Sequence, residues 1–453
     1  MRILEMNKLA LDLVARDFSD GHTPSQAGPT KTSRALAIIH LAARDAYAQV
    51  TSAYPPKLAG LPSKPALLGN TDALGQDAAI AAAIAAATNL YPDFGAFITT
   101  KAAALTAGAD MTAMNYGVDV ATAWIASRKM DKSTLPQTDP LYSDLPGHHR
   151  PDPLAPTQMT LGRQWGQVTP FILANVATEA HLDPPPSLTS PEYAAAFTDV
   201  FKNGRNNITE RNPKFRKKAS IGIYWGYDGS NKLGTPPRLY NQFVVSSTEF
   251  MGLAAKDQLN VLAAINAAMA DAGIAAWYWK YVYDFWRPVV AIREADVGWG
   301  PFGTGDGSAL DQQRGDPYWL PLGAPKSNIE PKTGAAGYNF TPNFPAYPSG
   351  HATFGTACFL TFAKLINKAP NQVTVSFASD EFSGPSPANP FNQGTTDNHG
   401  TLRPKWEQTI TLEEAIEQNK ESRIYLGVHW QFDADGGEKI GKDIANLAFD
   451  AFK

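Results

Sequence analysis

Apolar residues recur at helical spacing along most of this chain. Met6–Asp17 carries them at intervals of three and four, and Thr32–Val50 repeats the pattern with Leu36, Ile39, Ala43, Ala46 and Val50. The same periodicity predicts helices over Leu74–Leu90, Ala109–Arg128, Pro191–Lys202, Thr248–Arg287, Ser349–Leu365, Thr411–Gln431 and Gly437–Phe452. Thr248–Arg287 exceeds a typical helix and is expected to break near Gly252 or Gly273. Pro- and Gly-rich loops fill Lys129–Ser190, Asn203–Tyr240, Gly298–Pro348 and Lys368–Trp406. Gln372–Phe377 is a weak strand candidate, and no fixed short-period repeat is visible. The fold class expected is all-α: helical bundles joined by long Pro/Gly-rich loops, which at this length usually serve function.

Composition narrows the picture. The 453 residues are 43% hydrophobic and 18% charged, enough apolar content for a large core. We read them as one all-α unit, with an N-terminal half over 1–240 and a C-terminal half over 241–453. The net charge of −4, without a long basic run, argues against a nucleic-acid partner. Cys358 is the sole cysteine, so no internal disulfide can form. No stretch looks long and apolar enough to cross a bilayer; Ala78–Ala87 is too short. The first residues lack the apolar core of a secretory signal. The expectation is a soluble chain, cytoplasmic, or secreted or periplasmic if a leader was removed.

Three segments carry candidate chemistry. In Lys280-Tyr-Val-Tyr-Asp-Phe-Trp-Arg287-Pro288, helical geometry would put the two cations on nearly one face, about 10 Å apart along the axis. Long side chains could then converge on one anion. Two solvated surface cations are the simpler account, but Trp277, Trp279, Phe285 and Trp286 crowd the segment. In Pro348-Ser349-Gly350-His351, serine is a favoured N-cap for the apolar run that follows. A helix start with free N–H groups binds oxyanions, Gly350 permits close backbone approach, and His351 falls in the first turn. A capped helix with an incidental histidine would look the same.

The third segment, Ser422-Arg423-Ile-Tyr-Leu-Gly427-Val-His429-Trp-Gln-Phe-Asp433, supplies a guanidinium, an imidazole and a carboxylate. On one helix His429 and Asp433 would be neighbours, and a carboxylate on one ring nitrogen fixes the tautomer and activates the other. A structural His–Asp pair is the competing account. Together the segments offer three cations, a hydroxyl, a helix N-terminus and two histidines. That inventory suits a phosphate-like oxyanion better than a bare divalent metal.

Lys-x6-Arg-Pro, Pro-Ser-Gly-His and Ser-Arg-x3-Gly-x-His-x3-Asp, in this order, resemble the three motifs of the vanadium haloperoxidases and the type-2 phosphatidic acid phosphatase superfamily. Gly28-Pro-Thr-Lys-Thr-Ser-Arg-Ala-Leu-Ala-Ile-Ile-His40 also looks like the early helix of the soluble bacterial and fungal-type haloperoxidases. The resemblance implies two helical bundles, expected as two four-helix bundles, around one site. It implies vanadate as cofactor, with phosphate able to occupy the same place, and hydrogen peroxide, halide and a small organic acceptor as partners. His429 would bond vanadium. Lys280, Arg287, Arg423, Ser349 and Gly350 would hold the oxygens. His351 would be the acid–base group, Lys280 would polarise peroxide, and Asp433 would orient His429.

The same cage in a soluble phosphatase would use His429 as nucleophile, and a non-catalytic oxyanion-binding protein is a third possibility. The peroxidase reading is favoured because Trp277 and the run Phe344-Pro-Ala-Tyr-Pro-Ser-Gly-His look like the halide-pocket stretch of chloroperoxidases. Phe344 resembles the chloroperoxidase and bacterial iodoperoxidase patterns, whereas algal bromoperoxidases carry histidine there. Plain core packing would equally explain both aromatics. The preferred halide, the oligomeric state and the acidic partner of Arg423 stay open.

Overall fold

Two sets of helices meet along one long buried helix. A computed structural model describes residues 2–19, 21–138, 142–206, 212–294, 315–328, 339–384, 394–397 and 400–453. The N-terminal set is α1 (Arg2–Asp17), α2 (Gly28–Thr51), α3 (Asp72–Leu90), α4 (Gly95–Leu105) and α5 (Met111–Ser127). Short helices α6 (Val176–Glu179), α7 (Pro191–Asn203), α8 (Pro213–Tyr224), α9 (Pro236–Val245) and α10 (Thr248–Met251) follow. The C-terminal set is α11 (Ala255–Tyr283), α12 (Pro288–Arg293), α13 (Gly350–Leu365), α14 (Leu412–Tyr425) and α15 (Gln431–Phe452).

Alanine decides the packing of the first set. The Ala78–Ala87 run lies in α3 between α2 and α5, where small side chains let backbones approach closely. A Cβ on Gly117 of α5 would fall 2.1 Å from the Ala78 carbonyl oxygen, so no larger residue fits that crossing. α11 packs against α2 on one side and against α13 and α15 on the other.

Several expectations change. The Thr248–Arg287 segment breaks at Gly252, which caps α10, and runs unbroken through Gly273. A Cβ at Gly273 would lie 2.9 Å from the Phe354 ring, so that glycine permits a close approach of α11 to α13. α11 ends at Tyr283, followed by Asp284 in the left-handed region, and Arg287 falls outside it at the start of α12. Thr411–Gln431 is two helices, because Gly427 (φ +71°) opens a turn between α14 and α15. α15 begins at Gln431, earlier than the expected Gly437.

The expected loop Asn203–Tyr240 holds α8 and the start of α9, each with proline in its first turn. The weak strand is real: β1 (Thr374–Ala378) pairs antiparallel with β2 (Glu407–Thr411), Thr374 opposite Thr411. Parts of the expected loops Gly298–Pro348 and Lys368–Trp406 lie outside the described residues. The expectation that no segment could cross a bilayer also needs correction, because α11 is long and apolar enough. Nearly all of it is buried in the protein, which makes it a core helix.

Candidate active site

The N-terminus of α13 is the floor of the site. Ser349 caps it, its hydroxyl accepting from the Ala352 N–H at 3.5 Å, while its own N–H donates to the Asp433 carbonyl at 2.8 Å. α15 is thereby tied to the start of α13. Gly350 lies under Trp277, whose ring would stand 3.2 Å from a Cβ there. Trp277 is fixed by donating its indole N–H to Leu161 O at 3.1 Å.

Lys280 projects from the last turn of α11 and is fully buried. Its ammonium donates to the carbonyls of Pro345, Ala346 and Pro348 at 2.7, 3.0 and 2.6 Å. These three bonds use all the donors an ammonium has and secure the segment leading into Ser349.

Arg287 reaches the site from the extended residues before α12, so the shared helix face expected for Lys280 and Arg287 does not exist. Its Nε donates to Phe344 O at 2.9 Å, and Nη1 donates to Val428 O at 2.7 Å and to His429 Nε2 at 3.0 Å. Its Nη2 is buried without a partner among the described residues. Arg423, near the end of α14, donates from Nη2 and Nη1 to Asp228 at 2.7 and 3.2 Å, and its Nε is likewise buried with no partner among the described residues.

His429 stands in the turn before α15, so it does not share a helical face with Asp433 as expected. The contact forms across the helix N-terminus: Nδ1 donates to Asp433 Oδ2 at 2.8 Å, and the same oxygen accepts from Trp430 N–H at 2.9 Å. A proton on Nδ1 leaves Nε2 as the lone-pair nitrogen, the one that Arg287 contacts. His351 donates from Nε2 to Gly226 O at 2.8 Å, with Asp228 3.8 Å away.

Electrostatics follow from burying like charges together. Burial pushes the Lys280 ammonium well below its usual range, and neighbouring Arg287 adds to the shift. Arg287 is pushed down to about 9 by burial, with Arg423 acting in the same direction. Burial, then Arg287 and Lys280, holds His429 well below the ordinary imidazole value. Burial and Arg423 take His351 down to about 3, so both rings are neutral at pH 7. Burial lifts Asp433 to about 7, opposed by the Trp430 N–H. Lys280, Arg287 and Arg423 are crowded together beside Asp228 and Asp433, and an anion would favour the charged forms of these basic groups.

A cavity of about 280 Å³ opens above these groups, reaching His351, Arg423, His429 and Asp228. Trp277 and Phe344 form one wall, their rings 4.9 Å apart at the centroids. The Lys280 nitrogen and the Arg287 guanidinium lie 5.0 and 4.8 Å from the Phe344 centroid, within cation–π range. Of the residues singled out in the sequence, Trp277, Phe344, Gly350, His351, Arg423 and His429 line this cavity. Lys280, Arg287, Ser349 and Asp433 hydrogen-bond to the segments that carry them, whereas Trp279 and Trp286 are held elsewhere by Ala180 O and Tyr193. Asp228 is the one that pattern reading missed. It lies within an expected loop, and Gly226 and Gly229 flanking it mark a turn without indicating a partner.

Residues 260–453 match the family model of the VCPO second helical-bundle domain. The chain is 33% identical over 289 residues to the vanadium chloroperoxidase of Curvularia inaequalis. The chain has the fold of the vanadium haloperoxidases. The Curvularia match covers 57% of this chain and 44% of that protein, less than half its length. In three dimensions the chain resembles the crystal structure of the first bacterial vanadium-dependent iodoperoxidase, with a TM-score of 0.72 at 21% identity. That match covers 98% of this chain and 96% of the other. A bacterial vanadium-dependent chloroperoxidase in its apo form gives 0.63 at 15% identity, covering 95% of each chain. At such identities the vanadium haloperoxidase likeness speaks for the fold.

Proposed function

We propose that this chain is a vanadate-dependent haloperoxidase, converting hydrogen peroxide, halide and a proton to hypohalous acid and water. The observation that carries the reading is the pair of orphaned donors. Arg287 Nη2 and Arg423 Nε are buried charged N–H groups with no acceptor among the described residues, which is costly unless an anion binds. A tetrahedral oxyanion beside Ser349, Gly350 and the α13 N-terminus would satisfy both.

The chemistry vanadate supplies when bound is Lewis-acid activation of peroxide toward halide. His429 Nε2 is the nitrogen ready to bond it, neutral and aimed by the Asp433 carboxylate on Nδ1. Arg287 and Arg423 neutralise oxyanion charge with fixed guanidinium planes. Lys280 adds positive field and holds the Pro345–Pro348 carbonyls that place Phe344 and Ser349. His351, neutral and with Nε2–H committed to Gly226 O, has Nδ1 available to accept and return the proton of the reaction. Trp277 and Phe344 give the halide a wall of low polarity.

The test is reconstitution. The apo-protein, prepared without phosphate, is supplied with orthovanadate, peroxide and chloride, bromide or iodide, and halogenation of a dye is followed. Vanadate-dependent turnover suppressed by phosphate supports the proposal, and the halide ranking assigns specificity. Silence with every halide, together with vanadate-inhibited hydrolysis of p-nitrophenyl phosphate, would instead place the same residues in a phosphatase.

A further inference from the structure

Two walls of the cage depend on one short loop. The Gly226 carbonyl orients His351 and the Asp228 carboxylate orients Arg423, with Tyr227 between them. Tyr227 is fully buried at φ +50°, a left-handed conformation that bulky residues adopt only when their surroundings enforce it. The enforcement comes from the end of β1 and the turn after it.

Tyr224 donates its hydroxyl to Phe377 O at 2.7 Å, and Ser379 Oγ donates to Tyr224 O at 2.7 Å. The Asp380 N–H donates to the Tyr227 hydroxyl at 2.9 Å. Glu381 Oε1 accepts from the Tyr227 N–H at 3.4 Å, and a Cβ on Gly226 would come within 3.0 Å of that oxygen. Glu381 is itself buried and held by Arg403 at 2.5 Å and by the Ser327 hydroxyl. This carboxylate lies outside all three motifs; among the described residues its side chain bonds to the Tyr227 N–H, Ser327 and Arg403, and it feels the Asp228 carboxylate through charge.

We infer that Glu381 is a positioning residue for the oxyanion cage, setting through the Tyr227 N–H the loop that aims both His351 and Arg423. The inference rests on the proposed oxyanion-binding role of the cage. A buried carboxylate that only stabilised the fold would alter unfolding and leave the bound oxyanion unchanged. A positioning residue alters the oxyanion itself, and outer partners of this kind typically change affinity 10- to 100-fold.

The experiment is calorimetric titration of the full chain with orthovanadate and, separately, inorganic phosphate, with vanadium NMR of the bound species. Glu381→Ala should weaken both oxyanions roughly 10- to 100-fold and shift the vanadium signal. Glu381→Gln, which keeps an oxygen for the Tyr227 N–H, should restore part of the loss. Asp45→Asn is the control, because this buried carboxylate accepts from the Lys57 and Leu58 N–H groups and from Trp124 in the N-terminal helices. It should lower thermal stability without moving affinity or signal.

Wild-type affinity and an unmoved signal in folded Glu381→Ala overturn the inference; should that variant not fold, the same result in Glu381→Met, which has similar length and no acceptor oxygen, does so. Equal weakening by Asp45→Asn also overturns it, since general loosening would then suffice. Oxyanion binding that depends on Glu381 in a protein inert toward every halide would sink the peroxidase proposal and leave this inference standing. A wild-type chain that binds neither oxyanion overturns both.

Discussion

Asp228 and Arg423 stand 195 residues apart and meet in a bidentate ion pair at 2.7 and 3.2 Å. Both are almost fully buried. The carboxylate takes the two terminal nitrogens of the guanidinium, and Nε is left without an acceptor among the described residues. Such paired bonds fix the guanidinium plane as well as its charge. Arg423 is thus aimed before any ligand arrives.

Asp228→Asn should release that plane. We expect vanadate affinity to fall about 10- to 100-fold, the range for loss of an outer-shell partner. Stability should fall by roughly 3–5 kcal/mol, because Arg423 becomes a buried charge without its carboxylate. Orthovanadate titration and denaturant unfolding measure the two separately. Unchanged vanadate affinity would show that Arg423 does not contact the oxyanion.

His429 and His351 should fail in different ways. His429→Ala removes the only nitrogen proposed to bond vanadium, so equilibrium dialysis should find no retained vanadate. His351→Ala should retain vanadate and lose most turnover, on the order of 10²- to 10⁴-fold for a missing acid–base group. Near-normal halide oxidation by His351→Ala would transfer the proton role to another group.

Long periodic helices were legible in the sequence because their buried faces are read directly from spacing, and α2, α3 and α13 lie close to where expected. The residue types that the cavity gathers were visible in the sequence. Their local geometry was not, since both breaks that shape the cage depend on tertiary context. Asp284 takes a left-handed conformation that nothing in Tyr283–Phe285 demands, and that turn swings Arg287 off α11. Gly427 was visible, but its turn is fixed by contact with Gly204, whose carbonyl oxygen would lie 2.3 Å from a Cβ there. Asp228 had no periodic or motif signature, because its meaning comes only from Arg423 across the fold.

Acid should destabilise the protein through its buried neutral histidines. Burial lowers His40 in α2 from 6.5 to about 4, so the unfolded chain binds a proton that the folded chain refuses between those values. Its contribution is complete above pH 6.5 and is lost as pH falls toward 4, at a cost of about 3 kcal/mol for a shift of this size. His149, lowered to about 3, acts with the same sign. Urea unfolding of the apo-protein at pH 7 and pH 4.5 should show the loss, and His40→Asn should flatten it. An unchanged slope in that variant would mean that His40 is protonated in the folded state.

Gly437→Ala tests whether the cage depends on how closely α15 approaches α13. A Cβ there would fall 2.5 Å from the Ser349 carbonyl oxygen and 2.9 Å from the Ala352 Cβ. Replacing a helical glycine by alanine ordinarily gains about 1 kcal/mol. Overpacking against backbone costs typically 1–3 kcal/mol, and a 2.5 Å contact with a carbonyl cannot be relieved by rotating a side chain. The clash should therefore win, and thermal unfolding should show net destabilisation. Because Ser349 caps α13 and donates its N–H to Asp433 O, the shift needed to admit the methyl group moves the oxyanion floor relative to His429. Vanadate affinity should consequently fall along with stability. A stabilised protein, or a destabilised one with undiminished vanadate affinity, would show that the floor tolerates movement of α15.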